Sequence, residues 1–216
     1  MGLYKIAAIL GYSVLFAAII GLVRFKQTPK AYRPFFYLVW LGLVNHTASL
    51  VFVHYFHSNS INGNIFVLLE SLLFLYLFKN WGLFKSKPIT FFVLSVSLIV
   101  VWIVDNLILH SLLSANAGFR IINAFLLVFL AIEQMTHLIT NARKKPLFDP
   151  VFIICTGILI YFSYKAFIEV FFLMETNASL SLITNIYAIL VYINCFVNLL
   201  YAWAALWIPR KNQSLF

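Results

Sequence analysis

The chain has 216 residues, of which 63% are hydrophobic and 10% charged, with a formal net charge of +9 and a mean hydropathy of +0.98. An ordinary soluble domain carries about a quarter charged residues, so this composition excludes a soluble globular domain, a disordered chain and a disulfide scaffold. The apolar residues fall in long runs, which is the mark of an integral membrane protein.

A helix that crosses a bilayer core needs about 20 apolar residues. Seven stretches meet this length, at about 4–24, 34–56, 62–83, 88–110, 117–140, 150–173 and 180–208. The runs are continuous rather than alternating, which predicts helices instead of barrel strands. The loops are short, and no repeat or low-complexity segment divides the chain. The expected fold is therefore all-α, a single seven-helix transmembrane domain over residues 1–216.

The first run follows a lone Lys5, as a signal peptide would. It ends at Arg24 and Lys26 with no small-residue cleavage site, so it reads as a retained helix. The prolines, Pro29, Pro34, Pro88, Pro146, Pro150 and Pro209, all lie at or near helix ends. Only Gly11, Gly42 and Gly157 fall well inside a span, so the spans are expected to be mostly unbroken. Cys155 and Cys195 lie within spans and read as small buried hydrophobes, not as an extracellular disulfide. Trp40, Trp81, Trp102, Trp203 and Trp207 fall mostly toward span ends, where interfacial aromatic belts form.

Basic residues sort the loops. Arg24, Lys26, Lys30 and Arg33 sit in the first, Lys79, Lys85 and Lys87 in the third, Arg143, Lys144 and Lys145 in the fifth, and Arg210 and Lys211 in the tail. The alternate loops 57–61, 111–116 and 174–179 have no Lys or Arg, and only Lys5 and Arg120 lie near that face. The positive-inside rule puts the N-terminus outside and the C-terminus in the cytoplasm, with the chain in the cell membrane, the inner membrane in a bacterium. Anionic lipid headgroups account for the positive charge. No folded basic surface is available for nucleic acid.

Charged groups inside hydrocarbon are costly and are functional by default. Taken along the chain, Asn45 and His46 fall mid-span, His54 and His57 at the outer end of the second span, and Glu70 in the outer half of the third. Asp105, Asn106 and His110 end the fourth span, and Arg120 and Asn123 begin the fifth. Lys165 and Glu169 lie in the outer half of the sixth, four apart and able to pair along one helix face. Glu70 shares a stripe with Phe66, Phe74 and Leu77. On the seventh span Tyr187, Asn194, Asn198 and Tyr201 form one polar stripe running toward the cytoplasm, in which Asn194 and Asn198 read as interhelical glue. Together these imply an outward-facing polar pocket with aromatic walls, formed by Glu70, Asp105, Arg120, Asn123, Lys165, Glu169 and Asn45. The competing reading is structural: Lys165 and Glu169 neutralise each other, while Asp105, His110 and Arg120 snorkel to the interface. Glu133 and His137 read as a solvated helix end.

Three functional classes fit. A ligand-binding or sensory protein would take a small amphiphilic or zwitterionic ligand and signal through a cytoplasmic or membrane protein partner. A transporter could relay protons through Glu70, Asp105 and Glu169, though unbroken spans count against it. A lipid-modifying enzyme would need a metal, for which His54, His57 and His110 are weak ligands lacking a helical HExxH spacing. No cofactor is expected, since the last span has no Schiff-base lysine for retinal.

The segment from Asn62 to Trp81, with NIFVLLESLLFLYLFKNW, the stretch DPVFIICTGILIYFSYKAFI from Asp149, and NLLYAWAALW before Pro209 resemble small uncharacterised bacterial seven-helix integral membrane proteins. In these an Asn and a Glu open the third helix. The resemblance implies the seven-span topology, directs attention to Glu70, and brings no activity with it. Asn177-Ala-Ser179 is a glycosylation sequon, relevant only in a eukaryotic secretory pathway.

Overall fold

Where the chain is apolar and free of proline, the backbone satisfies its own hydrogen bonds by coiling into helix. The computed structural model describes residues 2–114, 116–141, 148–174 and 179–211. Arg143, Lys144, Lys145, Pro146 and Asn177 lie outside them. The helices are α1 (Gly2–Gly11), α2 (Val14–Arg24), α3 (Arg33–Phe56), α4 (Ser60–Asn80), α5 (Pro88–Ile103), α6 (Ala117–Asn141), α7 (Pro150–Met174) and α8 (Leu180–Trp207). Among the described residues seven helical spans are long and apolar enough to cross a membrane: Lys5–Gln27, Lys30–Phe56, Ser60–Asn80, Pro88–Leu109, Ala117–Thr140, Pro150–Met174 and Ser181–Trp207.

Helix ends follow local chemistry. Pro34 lies in the first turn of α3, and Pro88 and Pro150 open α5 and α7, where a missing N–H costs no helical bond. His57, at φ 54°, closes α3, and its N–H bonds to Val53 O at 3.2 Å. Gly82 turns the chain after α4 at φ 91°, a conformation a side chain would strain. Ser179 Oγ accepts from Leu182 N–H at 3.3 Å and caps α8.

Two spans depart from the expected unbroken helix. The first is interrupted between α1 and α2: Tyr12 N–H bonds to Ile9 O at 3.1 Å and Ser13 N–H to Leu10 O at 3.0 Å. Bonding three residues back tightens the turn and ends the regular ladder. The fourth span widens into a π-helical segment over Val104–Leu109, which carries the buried Asp105 and Asn106. Neither break involves a proline.

The spans pack as a closed ring in chain order, α8 returning to α1 and α2, with α4 also touching α6. In hydrocarbon, close packing and hydrogen bonds rather than hydrophobic burial hold helices together. Small residues accordingly mark close approaches. A Cβ at Gly21 would stand 2.5 Å from the Phe36 ring, and one at Gly157 would stand 2.5 Å from Tyr201. α4 buries Asn64, Val67, Ser71, Phe74, Leu75, Leu77 and Phe78, whereas α5 buries only Leu98 among its residues and lies on the rim. Arg24 ties the ring shut, donating to the carbonyls of Ala205, Leu206 and Ile208 at 2.7, 2.5 and 2.7 Å. These oxygens belong to the last turn of α8 and the residue after it, so the cation also meets the negative end of the helix dipole.

Candidate functional site

Helical spacing brings three polar stripes to the middle of the ring. On α3, Asn45, His46 and Ser49 follow Gly42. On α4, Phe66, Glu70 and Phe74 recur at one-turn intervals, and on α8 so do Asn194, Asn198 and Tyr201. They line a cavity of about 170 Å³, which Tyr161 and Phe162 of α7 and Phe35 of α3 wall with aromatic rings. Gly11, His46, Ser49, Tyr161 and Asn194 also line a second cavity of about 400 Å³ that continues between α1, α3 and α8 to Asn59, beyond the end of α3. The shared residues make the two one cleft, running from Glu70 to the end of the bundle opposite the basic loops.

The broken first span forms one wall. Tightening at Tyr12 and Ser13 leaves Ala8 O without its usual partner four residues on. His46 Nε2 lies 3.0 Å from it. A carbonyl only accepts, so Nε2 carries a proton. His46 fits because Gly11 has no side chain: a Cβ there would overlap the imidazole ring. Tyr12 meets the same ring edge-on, with centroids 4.7 Å apart. Below the break, Asn198 Nδ2 donates to Ser13 Oγ at 2.9 Å, buried from both sides.

The charged residues pair across helices, not along one. On the competing structural reading, Lys165 and Glu169 neutralise each other along α7. Instead, Lys165 Nζ lies 3.9 Å from Glu70 Oε2, and Glu169 Oε1 lies 3.5 Å from Arg120 Nη1. All four side chains are a fifth exposed or less. The physical reason is rotation: α4 and α6 each present a counter-charge to a different turn of α7. At 3.9 Å the Lys165 contact is an attraction without a hydrogen bond. Among the described residues Glu70 Oε2 is buried and has no hydrogen-bond partner. Arg120 Nη2 also donates to Asn64 Oδ1 at 2.8 Å, and Asn64 Nδ2 donates to Leu112 O and Ser114 O at 3.2 and 2.9 Å. Asn64 thus ties α4 to α6 and to the loop before α6.

Asp105 does not snorkel. It is 6% exposed, and its Oδ2 accepts from Phe119 N–H at 2.8 Å, capping α6 from a different span. Its Oδ1 lies 3.2 Å from His110 Nδ1. Gly118 permits the approach, since a Cβ there would stand 2.8 Å from Asp105 Oδ1.

No protein-family model, no curated protein and no solved structure matches the chain.

Of the residues expected to form the pocket, Glu70 and Asn45 line the cleft, and the α8 stripe of Asn194, Asn198 and Tyr201 lines it with them. Asp105, Arg120, Asn123, Lys165 and Glu169 do not line it. Lys165 stands behind Glu70, and Arg120 and Glu169 form a separate pair. Asn123 is 1% exposed, and among the described residues neither end of its amide has a hydrogen-bond partner. Tyr187 leaves the stripe and stacks on Phe172, with centroids 5.4 Å apart. The weak metal candidates are not gathered: His54 meets Tyr55, His57 turns the chain after α3, and His110 is held by Asp105. Among the described residues no three His, Cys, Asp or Glu side chains cluster as a metal site would require. Sequence reasoning passed over His46, Tyr161 and Ser13 as site residues. For His46 the signals are its mid-span position and Gly11, which marks where its ring intrudes.

Proposed function

We propose that the protein is a seven-span integral membrane protein, N-terminus outside, that binds a small amphiphilic ligand in the cleft leading to Glu70. The observation that carries this is a buried carboxylate oxygen without a hydrogen-bond partner at an aromatic-walled cavity. An unmet buried acceptor costs about 1–3 kcal/mol. A ligand donor would offset that cost, and the rings would take the ligand's apolar part. The combined cavities, about 170 and 400 Å³, fall within the range of small-molecule sites, about 300–1,000 Å³. The cleft runs toward the base-poor end, which under the positive-inside rule is the outer side. A sensory output would pass to a protein partner, since the described inner loops are short. Native mass spectrometry of protein gently extracted from its own membrane tests the reading. A retained small molecule, lost in Glu70→Gln, supports it; identical spectra for the two proteins would sink it.

One observation favours transport as a second reading. The first span is broken beside the cavity, and interrupted helices line the substrate sites of many carriers. Uptake of the retained molecule into proteoliposomes separates carriage from binding alone.

A further inference from the structure

We infer that the ligand of this cleft carries an ammonium group, and that Lys165 is a built-in competitor for it at Glu70; the inference rests on the binding reading above. Lys165 Nζ sits 3.9 Å from Glu70 Oε2 and lies 5.6 and 5.4 Å from the ring centroids of Tyr161 and Phe162. A carboxylate flanked by aromatic faces is the standard chemistry for holding a cation. Glu70, Tyr161 and Phe162 also line the cavity, so the groups that hold the lysine ammonium from behind are open to a second ammonium from the cleft. On α4, Phe66 and Phe74 flank Glu70 one turn to either side and also line the cavity.

The rest of the lining offers an anion no ammonium or guanidinium partner. Among the described residues that line the cleft, no Lys or Arg is present to meet an anion. His46 does not face the ligand with its Nε2, which donates to Ala8 O. A ligand ammonium would take Glu70 from Lys165, whose contact has no hydrogen bond to lose. A zwitterion would instead need Lys165 as a direct partner, and removing Lys165 then weakens binding.

The test uses the full chain in lipid nanodiscs and three isosteric probes: 4-phenylbutylamine, 4-phenylbutanol and 4-phenylbutyrate. Binding is measured by calorimetry with empty nanodiscs subtracted. The amine is expected to bind about tenfold tighter than the alcohol, and the carboxylate weakest. Lys165→Met should tighten the amine by about tenfold again, because the competitor is gone. The charge-balanced double variant Glu70→Gln/Lys165→Met avoids leaving an orphaned buried lysine. It should bind amine and alcohol alike. Equal binding of amine and alcohol by the wild type would overturn the ammonium assignment and leave the pocket reading standing. Weaker amine binding in Lys165→Met would overturn the competitor role of Lys165. Binding of none of the three probes would overturn both readings.

Discussion

His46 Nε2 lies 3.0 Å from the carbonyl oxygen of Ala8, the oxygen that the tightened turn at Tyr12 and Ser13 leaves without its helical partner. The contact joins α3 to the broken first span at the wall of the cleft. It exists only because Gly11 leaves room for the imidazole. Gly11→Ala should therefore destabilise the protein by about 1–3 kcal/mol through overpacking. The double variant Gly11→Ala/His46→Ala should lose less than the sum of the two single changes, since the ring that clashes has been removed. Thermal unfolding in detergent reads both; additive losses would show that the two residues do not meet.

Arg24 holds the end of α8 through three carbonyl oxygens within 2.7 Å. Arg24→Met should cost about 2 kcal/mol, the scale of hydrogen bonds to a charged group at a partly exposed site. Arg24→Lys should recover little of it, because an ammonium cannot spread over three separated acceptors as a guanidinium does. Hydrogen exchange in the last turn of α8 should rise in both variants. Unchanged exchange would mean that the clamp contributes nothing to the helix end.

Arg120 and Glu169 form a partly buried pair that also engages Asn64. Arg120→Met strands the Glu169 carboxylate and should destabilise by about 3 kcal/mol. Removing both charges in Arg120→Met/Glu169→Met should restore part of that loss, because no unpaired charge remains. A double variant less stable than Arg120→Met would show that Glu169 has another partner that matters more.

Ser58, after α3, and Ser86, before α5, are both exposed at opposite ends of the bundle. In a Cys195→Ser background, a membrane-impermeant maleimide should label Ser58→Cys in intact cells. Ser86→Cys should react only after permeabilisation, as the distribution of Lys and Arg requires. The reverse pattern would invert the proposed orientation and put the cleft mouth in the cytoplasm.

Much of the architecture was legible in the sequence. The span at 150–173 became α7 at Pro150–Met174 and the span at 34–56 falls within α3 at Arg33–Phe56, because span length and hydropathy are properties of a continuous stretch. Glu70, Phe66 and Phe74 were expected on one face and do line one cavity, because helical periodicity is equally local. Partner choice was not legible. Lys165 has a carboxylate four residues away on its own helix, yet meets Glu70 from α4. Asp105 sits near a span end, yet is buried as the cap of α6. The break at Tyr12 and Ser13 has no proline to announce it, and His46 meets the exposed carbonyl from another helix. Periodicity determines which residues share a face of one helix. Which faces meet, at what depth and rotation, is decided by packing among all seven spans, and that packing assigns each buried charge its partner.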